Sequence, residues 1–262
     1  MTYTDNRLES IFKCIVESYV ETAIPVGSRI VSKLYQGGLS PASIRNVMAD
    51  LEEMGLICQP HTSAGRVPTA TGYRFYVDRF LDGNKTTLEP QEDWGVNLRT
   101  SRDVEDVAEK TSRILADTTH NAGLFFLKNV RRVSYIGTQP EDVLVDSMAN
   151  RLYIEGTRHI VEQPEFNDRD RAYEILKMLE LKEELKHFFE EEPADDHIHI
   201  YIGDEAKCDM PDNMSIVVKQ CVVEGESIAS LAVIGPTRMD YGRAIGMVSY
   251  LSDAVHELLS EY

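Results

Sequence analysis

The chain has 262 residues, 42% of them apolar, with 8 Phe, 12 Tyr and one Trp, enough to bury a substantial core in one or two domains. Charged residues make up 27% and are spread along the chain, which argues against wholesale disorder. No apolar run is long enough to cross a bilayer, and the opening MTYTDNRLES lacks the basic and apolar regions of a signal peptide, so a cytoplasmic location away from membranes is expected.

The net charge of −17 is unevenly placed. Residues 1–80 carry eight basic and eight acidic side chains, so the whole excess lies in residues 81–262, with 19 basic against 36 acidic groups. A neutral head on an acidic body suits a protein that meets phosphates with one part only, although many acidic proteins share such asymmetry. Cys14, Cys58, Cys208 and Cys221 are widely separated, with no CxxC pair, and read as small buried apolar residues.

In chain order, Leu8, Ile11, Phe12, Ile15, Val16 and Tyr19 recur at three- and four-residue steps and predict a first helix over about 6–21, ending before Pro25. Ser28 is expected to cap a short second helix that turns Ile30, Val31 and Leu34 inward, and Gly37-Gly38 breaks it. Ser40-Pro41 opens a third helix, with a hydroxyl acceptor at the N-cap and proline at the first helical position. That helix should bury Ile44, Val47, Met48, Leu51 and Met54 and stop at Gly55.

The opposite face of the third helix carries the functional signal. Ser43, Arg45, Asn46 and Ala49 lie away from the apolar stripe near the helix start, while Asp50, Glu52 and Glu53 fall in the last turns. A helix entering the major groove N-terminus first needs small and donor-rich residues early and carboxylates kept back from phosphate. An ordinary solvated surface helix would show much the same face, so the pattern needs its context. Leu56-Ile57-Cys58 reads as a short strand, and Gln59 to Pro68 as a hairpin with a small polar tip, His61-Thr62-Ser63, and Arg66 just beyond Gly65. Three helices followed by a two-stranded loop with a basic tip is the order of a winged helix-turn-helix. A fourth helix over about 69–81 carries Tyr73, Phe75, Tyr76, Val77 and Phe80, more consistent with packing than with stacking on bases.

LSPASIRNVMADLEEMG followed by QPHTSAGRVPTATGYRFYVD resembles the heat-inducible transcription repressor HrcA family, as do the upstream PVGSRIVSKLY and the distant block IGPTRMDYGRAIGMVSYLSD (234–253). PEF (164–166) and IYIGDEA (200–206) resemble further segments of it. The resemblance implies a homodimer that binds double-stranded DNA at an inverted repeat upstream of chaperone operons, with a GroEL-type chaperonin as co-repressor and release on heat stress. With the helix face and hairpin read this way, Ser40, Ala42, Ser43, Arg45 and Asn46 of the third helix and His61, Thr62, Ser63 and Arg66 of the hairpin are expected at the DNA, Ser43, Arg45 and Asn46 reading bases and Arg66 with its wing neighbours holding phosphate.

Residues 82–100 lose periodicity, so a linker over 83–100 is expected between a head, 1–82, and an acidic body, 101–262. A helix over about 104–118 is followed by strand-like runs at 123–127, 133–136, 152–155, 197–202, 216–223 and 228–234, with helices near 169–190 and 243–260. This predicts an α+β chain. By resemblance the body is a GAF-like regulatory domain whose inserted dimerisation subdomain is reduced or absent, because family members are longer between about 126 and 156.

Other features point less clearly to chemistry. His197 and His199 alternate, but without a third ligand they read as a packed or solvated pair rather than a metal site. Glu190-Glu191-Glu192 with Asp195-Asp196 lacks calcium-loop spacing and reads as a solvated surface. Gly235 to Tyr241 lacks the lysine of a phosphate loop and reads as a strand-to-helix turn, with Thr237 or Asp240 as cap and Arg238 paired to an internal carboxylate. With no nucleophile elbow, HExxH or acid pair, neither an enzyme nor a cofactor is expected. The alternative is a winged-helix regulator whose GAF-like body senses a small molecule.

Overall fold

The structure is a computed structural model and describes residues 3–62, 64–81, 94–128, 150–167, 173, 177, 182–206, 210–223 and 225–260. Two compact units divide at Asp82/Gly83.

The first unit contains α1 (Tyr3–Thr22), α2 (Ser28–Leu34), α3 (Pro41–Glu53), the two-residue strands β1 (Ile57–Cys58) and β2 (Val67–Pro68), and α4 (Ala70–Phe80). Ile11, Phe12, Ile15 and Val16 of α1 are all fully buried, as the three- and four-residue spacing requires. They meet Val31 of α2 and Ile44, Val47, Met48 and Leu51 of α3 in one core. The aromatic residues of α4 pack as expected. Tyr73 is buried, and Phe75 meets Phe12 edge-on at 5.5 Å and Phe80 at 6.4 Å.

Three local expectations fail. Gly27, not Ser28, caps α2, and no side chain closes that end. Ile30 and Leu34 are 44% and 51% exposed rather than inward, because a seven-residue helix crossing its neighbours presents one residue, Val31, to the core. Met54 is 55% exposed, because it is already the cap residue where α3 turns away at Gly55 (φ +73).

The second unit contains α5 (Trp94–Arg99), α6 (Val104–Thr119), β3 (Ala122–Leu127), β4 (Arg151–Glu155), α7 (Thr157–Val161), a 3₁₀ turn (Pro164–Phe166), α8 (Lys182–Glu191), β5 (Ile198–Ile202), β6 (Met214–Val223), β7 (Glu226–Pro236) and α9 (Tyr241–Ser260). Its strands form one antiparallel sheet in the order β4-β3-β7-β6-β5. α6 and α9 lie against one face. The other face buries Leu124, Phe126, Ile216, Val218 and Ile234 with Phe166, Leu185, Phe188 and Phe189. The central strands β6 and β7 are buried almost throughout, as covering both faces demands.

The end of the expected linker is helical and packed. Leu98 of α5 is 1% exposed and Trp94 meets Tyr250 edge-on at 5.8 Å. The expected strand at 133–136 lies outside the described residues, as do most of the helix expected before residue 182 and Cys208. Cys221 is buried and Cys14 partly so, whereas Cys58 is exposed on β1, because the outer side of a two-residue strand has nothing above it.

Candidate nucleic-acid interface

The third helix is built to expose one face and anchor the other. The Ser40 hydroxyl accepts from the Ser43 N–H at 3.1 Å, Pro41 takes the first turn, and the Ser40 and Ser43 hydroxyls lie 3.0 Å apart. With Ile44, Val47, Met48 and Leu51 buried, helical periodicity turns Ala42, Arg45 and Asn46 to solvent, and Ser40 is exposed ahead of them. Ser43 is half-buried. The Ser32 hydroxyl donates to the Leu39 carbonyl at 2.7 Å, tying α2 to the turn that enters α3. The hydrogen-bond donors Ser43, Arg45 and Asn46 thus stand in the first half of α3, at the positive end of its dipole, and Asp50, Glu52 and Glu53 in the second half.

The hairpin is held from two sides. Gln59 Nε2 donates to the Thr62 carbonyl at 2.9 Å and the Ala64 carbonyl at 3.1 Å, closing the tip around exposed His61 and Thr62. Ser63 lies outside the described residues. At the base, Val26 and Arg66 exchange backbone hydrogen bonds of 2.8 and 2.9 Å, tying the segment before α2 to the hairpin through a single antiparallel bridge. Gly65 sits so close that a Cβ would come within 2.5–2.6 Å of the Pro25 and Val26 backbone. On the far side the Thr69 hydroxyl donates to the Gly55 carbonyl at 2.6 Å and accepts from the Gly72 N–H at 3.0 Å, joining the turn after α3 to the start of α4.

The expected residues are therefore not equivalent. Ser40, Ala42, Ser43, Arg45 and Asn46 share the N-terminal half of α3, and His61 and Thr62 share the hairpin tip. Arg66 departs from the expectation of a free basic group beyond the tip, since its guanidinium turns back onto Glu52 of α3, with Nε and Nη2 at 2.9 and 2.8 Å from Oε2. Sequence reasoning missed Gln59, Val26 and Glu52. Only the amide of Gln59, placed just before a small polar turn, could have hinted at its role.

In the second unit the other sequence features resolve into structure. Arg238 pairs with the Glu165 carboxylate and donates to Gln163 Oε1 at 2.8 Å, joining the 3₁₀ turn to the loop before α9 as expected. Asp240 caps α9 by accepting from the Arg243 N–H at 3.0 Å, while the Thr237 carbonyl accepts from the Tyr241 hydroxyl at 2.9 Å. His197 lies before β5 begins, so it does not share a strand face with His199. His199 packs between Glu192 and Asp195, at 3.2 Å from each, and no metal-holding cluster of three His, Cys, Asp or Glu occurs among the described residues.

Glu192 corrects the reading of a solvated acidic run. It is buried, because the chain turns inward there after α8, and it bonds the Tyr201 hydroxyl and His199. Burial pushes the Glu192 carboxyl above its ordinary value, and burial together with the adjacent carboxylate pushes the Tyr201 hydroxyl up. No described helix is long and apolar enough to cross a membrane.

A family profile described as the HrcA protein C terminal domain matches residues 136–245. The chain is 31% identical to the heat-inducible transcription repressor HrcA of Moorella thermoacetica, over 98% of each protein. It is 30% identical to that of Geobacter sulfurreducens, over 99% of each, and 29% identical to that of Desulforudis audaxviator, over 98% of each. These alignments run over 338–341 positions where the chain has 262 residues, so the relatives carry stretches that it lacks. Its fold matches a crystal structure described as that of a hypothetical protein, with a TM-score of 0.74 and 22% identity over 97% of this chain and 98% of the other. The chain belongs to the HrcA family of heat-inducible transcription repressors.

Proposed function

We propose that this chain represses chaperone operons by binding an inverted-repeat operator as a homodimer, and that heat stress releases it. In this reading residues 1–82 are a winged helix-turn-helix, 83–100 join it to the body, and 101–262 form an acidic GAF-like regulatory and dimerisation domain, its inserted subdomain reduced or absent. The observation that carries the proposal is the exposure of Arg45 and Asn46 on a helix whose opposite face is fully anchored. An arginine can bond both major-groove acceptors of a guanine, and an asparagine matches the donor–acceptor edge of adenine. Ser43 reads bases beside them, Ser40 and Ala42 let the helix start approach the backbone closely, and His61, Thr62 and Ser63 of the hairpin meet phosphate.

The antiparallel sheet with helices on both faces supports the GAF-like reading of the body. A GroEL-type chaperonin is the proposed co-repressor, and a repressor of this kind acts in the cytoplasm, where the operons are. The test is a footprint of the purified full-length protein on DNA upstream of chaperone genes, with and without chaperonin. Protection of a palindrome is expected, strengthened by chaperonin. Binding no better than to scrambled duplex at low salt, with chaperonin supplied, refutes the reading.

One observation favours the ligand-sensing alternative. An open depression of about 380 Å³ is lined by Arg113, Ala116, Asp117, Glu155, Gly156, Thr157 and Arg158. A metabolite that binds there would raise the melting temperature of the full-length protein. A screen that finds no such metabolite removes the alternative.

A further inference from the structure

The outer stripe of α3 contains a carboxylate. Arg45, Ala49 and Glu52 fall at i, i+4 and i+7, so Glu52 shares the side of the helix that carries Arg45, about 10 Å further along the axis at 1.5 Å per residue. An unpaired carboxylate there would repel the backbone of any duplex lying along the helix. Arg66 occupies it: Nη2 and Nε lie 2.8 and 2.9 Å from the same Oε2, and the two side chains are only 23% and 37% exposed. The backbone of Arg66 is fixed in turn by its two hydrogen bonds to Val26, and Gly65 rests against the Pro25–Val26 backbone. Arg66 therefore joins three segments, reaching the end of α3 with its guanidinium and tying the return side of the hairpin to the segment before α2 with its backbone.

We infer that Glu52 is a positioning residue for operator binding: through Arg66 it sets the angle of the hairpin against α3, and Arg66 cancels the repulsion its carboxylate would exert on phosphate. The inference rests on the DNA-binding reading and gives Arg66 an internal role in place of the phosphate contact expected from the sequence. A group already bonded twice to a carboxylate must give up that pair to reach a phosphate, whereas a hairpin pinned to the helix meets DNA without rearrangement.

The experiment measures the affinity of full-length protein for the footprinted operator and for scrambled duplex across a salt series. Discrimination by the unaltered protein reports on the DNA-binding reading, and the variants report on the clamp. Glu52→Ala and Arg66→Ala should each weaken operator binding about five-fold, as expected for losing one well-formed ion pair. The double variant should be no weaker than either single one, because both remove the same link. The salt slope of the double variant, which lacks both the guanidinium and the carboxylate it neutralises, should equal that of the unaltered protein, since no phosphate contact is lost. Exchanging the charges, Glu52→Arg with Arg66→Glu, should restore most of the affinity. If an alanine variant melts early, Glu52→Gln, which keeps the side-chain shape, and Arg66→Gln, which keeps a polar side chain without the charge, complete the same cycle. A salt slope lower by about one unit in Arg66→Ala, together with unchanged or tighter binding by Glu52→Ala, overturns the inference and makes Arg66 a phosphate contact for which Glu52 competes. Fully additive losses also overturn it.

Discussion

Arg45 and Arg66 look alike in the sequence, two arginines in the head at positions suited to DNA, yet their surroundings differ. Arg45 is exposed on the outer face of α3, whereas Arg66 is mostly covered and bonded to Glu52. Replacing Arg45 with alanine should weaken operator binding by about 1–3 kcal/mol and relax the preference at a single base pair. Titrations against operators substituted one position at a time check this, and equal losses on operator and random duplex would remove Arg45 from base reading. At Glu192 the consequence is pH dependence. Its carboxyl is raised by burial, so between its ordinary value and the raised one the folded state keeps a proton that the unfolded chain has lost. That contribution is present in acid and is lost as pH rises through the raised value, because the buried group must then carry charge. Chemical denaturation of Glu192→Gln beside the unaltered protein should show the variant gaining relative stability as pH rises above the ordinary carboxyl range. An offset independent of pH would mean that the folded state does not hold the Glu192 proton more tightly than the unfolded chain does.

Elements differ in how much of their design is local. α3 is written almost entirely in its own residues: Ser40 and Pro41 start it, an apolar stripe anchors it and Gly55 ends it. Ser40→Ala should therefore cost about 0.5–2 kcal/mol of stability by removing the cap acceptor. Ser40→Asp should keep the cap and the melting temperature while weakening binding to every duplex, since it sets a negative charge where the backbone is expected to pass. Thermal melts and binding curves on the same two variants separate the effects, and undiminished binding by Ser40→Asp would move the DNA away from the start of α3. α2 and the hairpin behave differently. The periodicity of α2 predicts three inward residues and one is found, because two turns of helix have too little length for neighbours to cover more. The hairpin's two-residue strands would not hold alone; Gln59, the Val26 pairing and Thr69 fix it.

At the scale of the molecule, charge is segregated between a nearly neutral unit and an acidic one. On a palindromic operator two heads must reach successive major grooves on one side of the duplex, about 10 base pairs apart or a multiple of that. Inserting about five base pairs between the half-sites turns one of them to the opposite side and should abolish high-affinity binding, while about ten should restore part of it. Electrophoretic shifts with the spaced operators read this directly, and indifference to spacing would rule out two heads held in a fixed register.

How much could be read in advance follows from the range of the forces involved. Helices α1, α3, α4, α6 and α9 and most of the strands were legible because periodicity, caps and turn residues act within a few positions of one another. Arg45 and Asn46 were legible as outward residues for the same reason, since a helix with a known buried stripe leaves no other side for them, whereas Ser43 is half-buried against the cap. The partner of Arg66, fourteen residues back on another element, was not. Nor were the pairing of Val26 with Arg66, the burial of Glu192 within an acidic run, or the docking of α5 where a linker was expected. The sequence by itself determined which segments form helices and strands and which face of each is apolar. Tertiary structure alone decided which charges meet, because an ion pair depends on where two distant pieces of backbone come to rest, and that position is set by the packing of the whole unit.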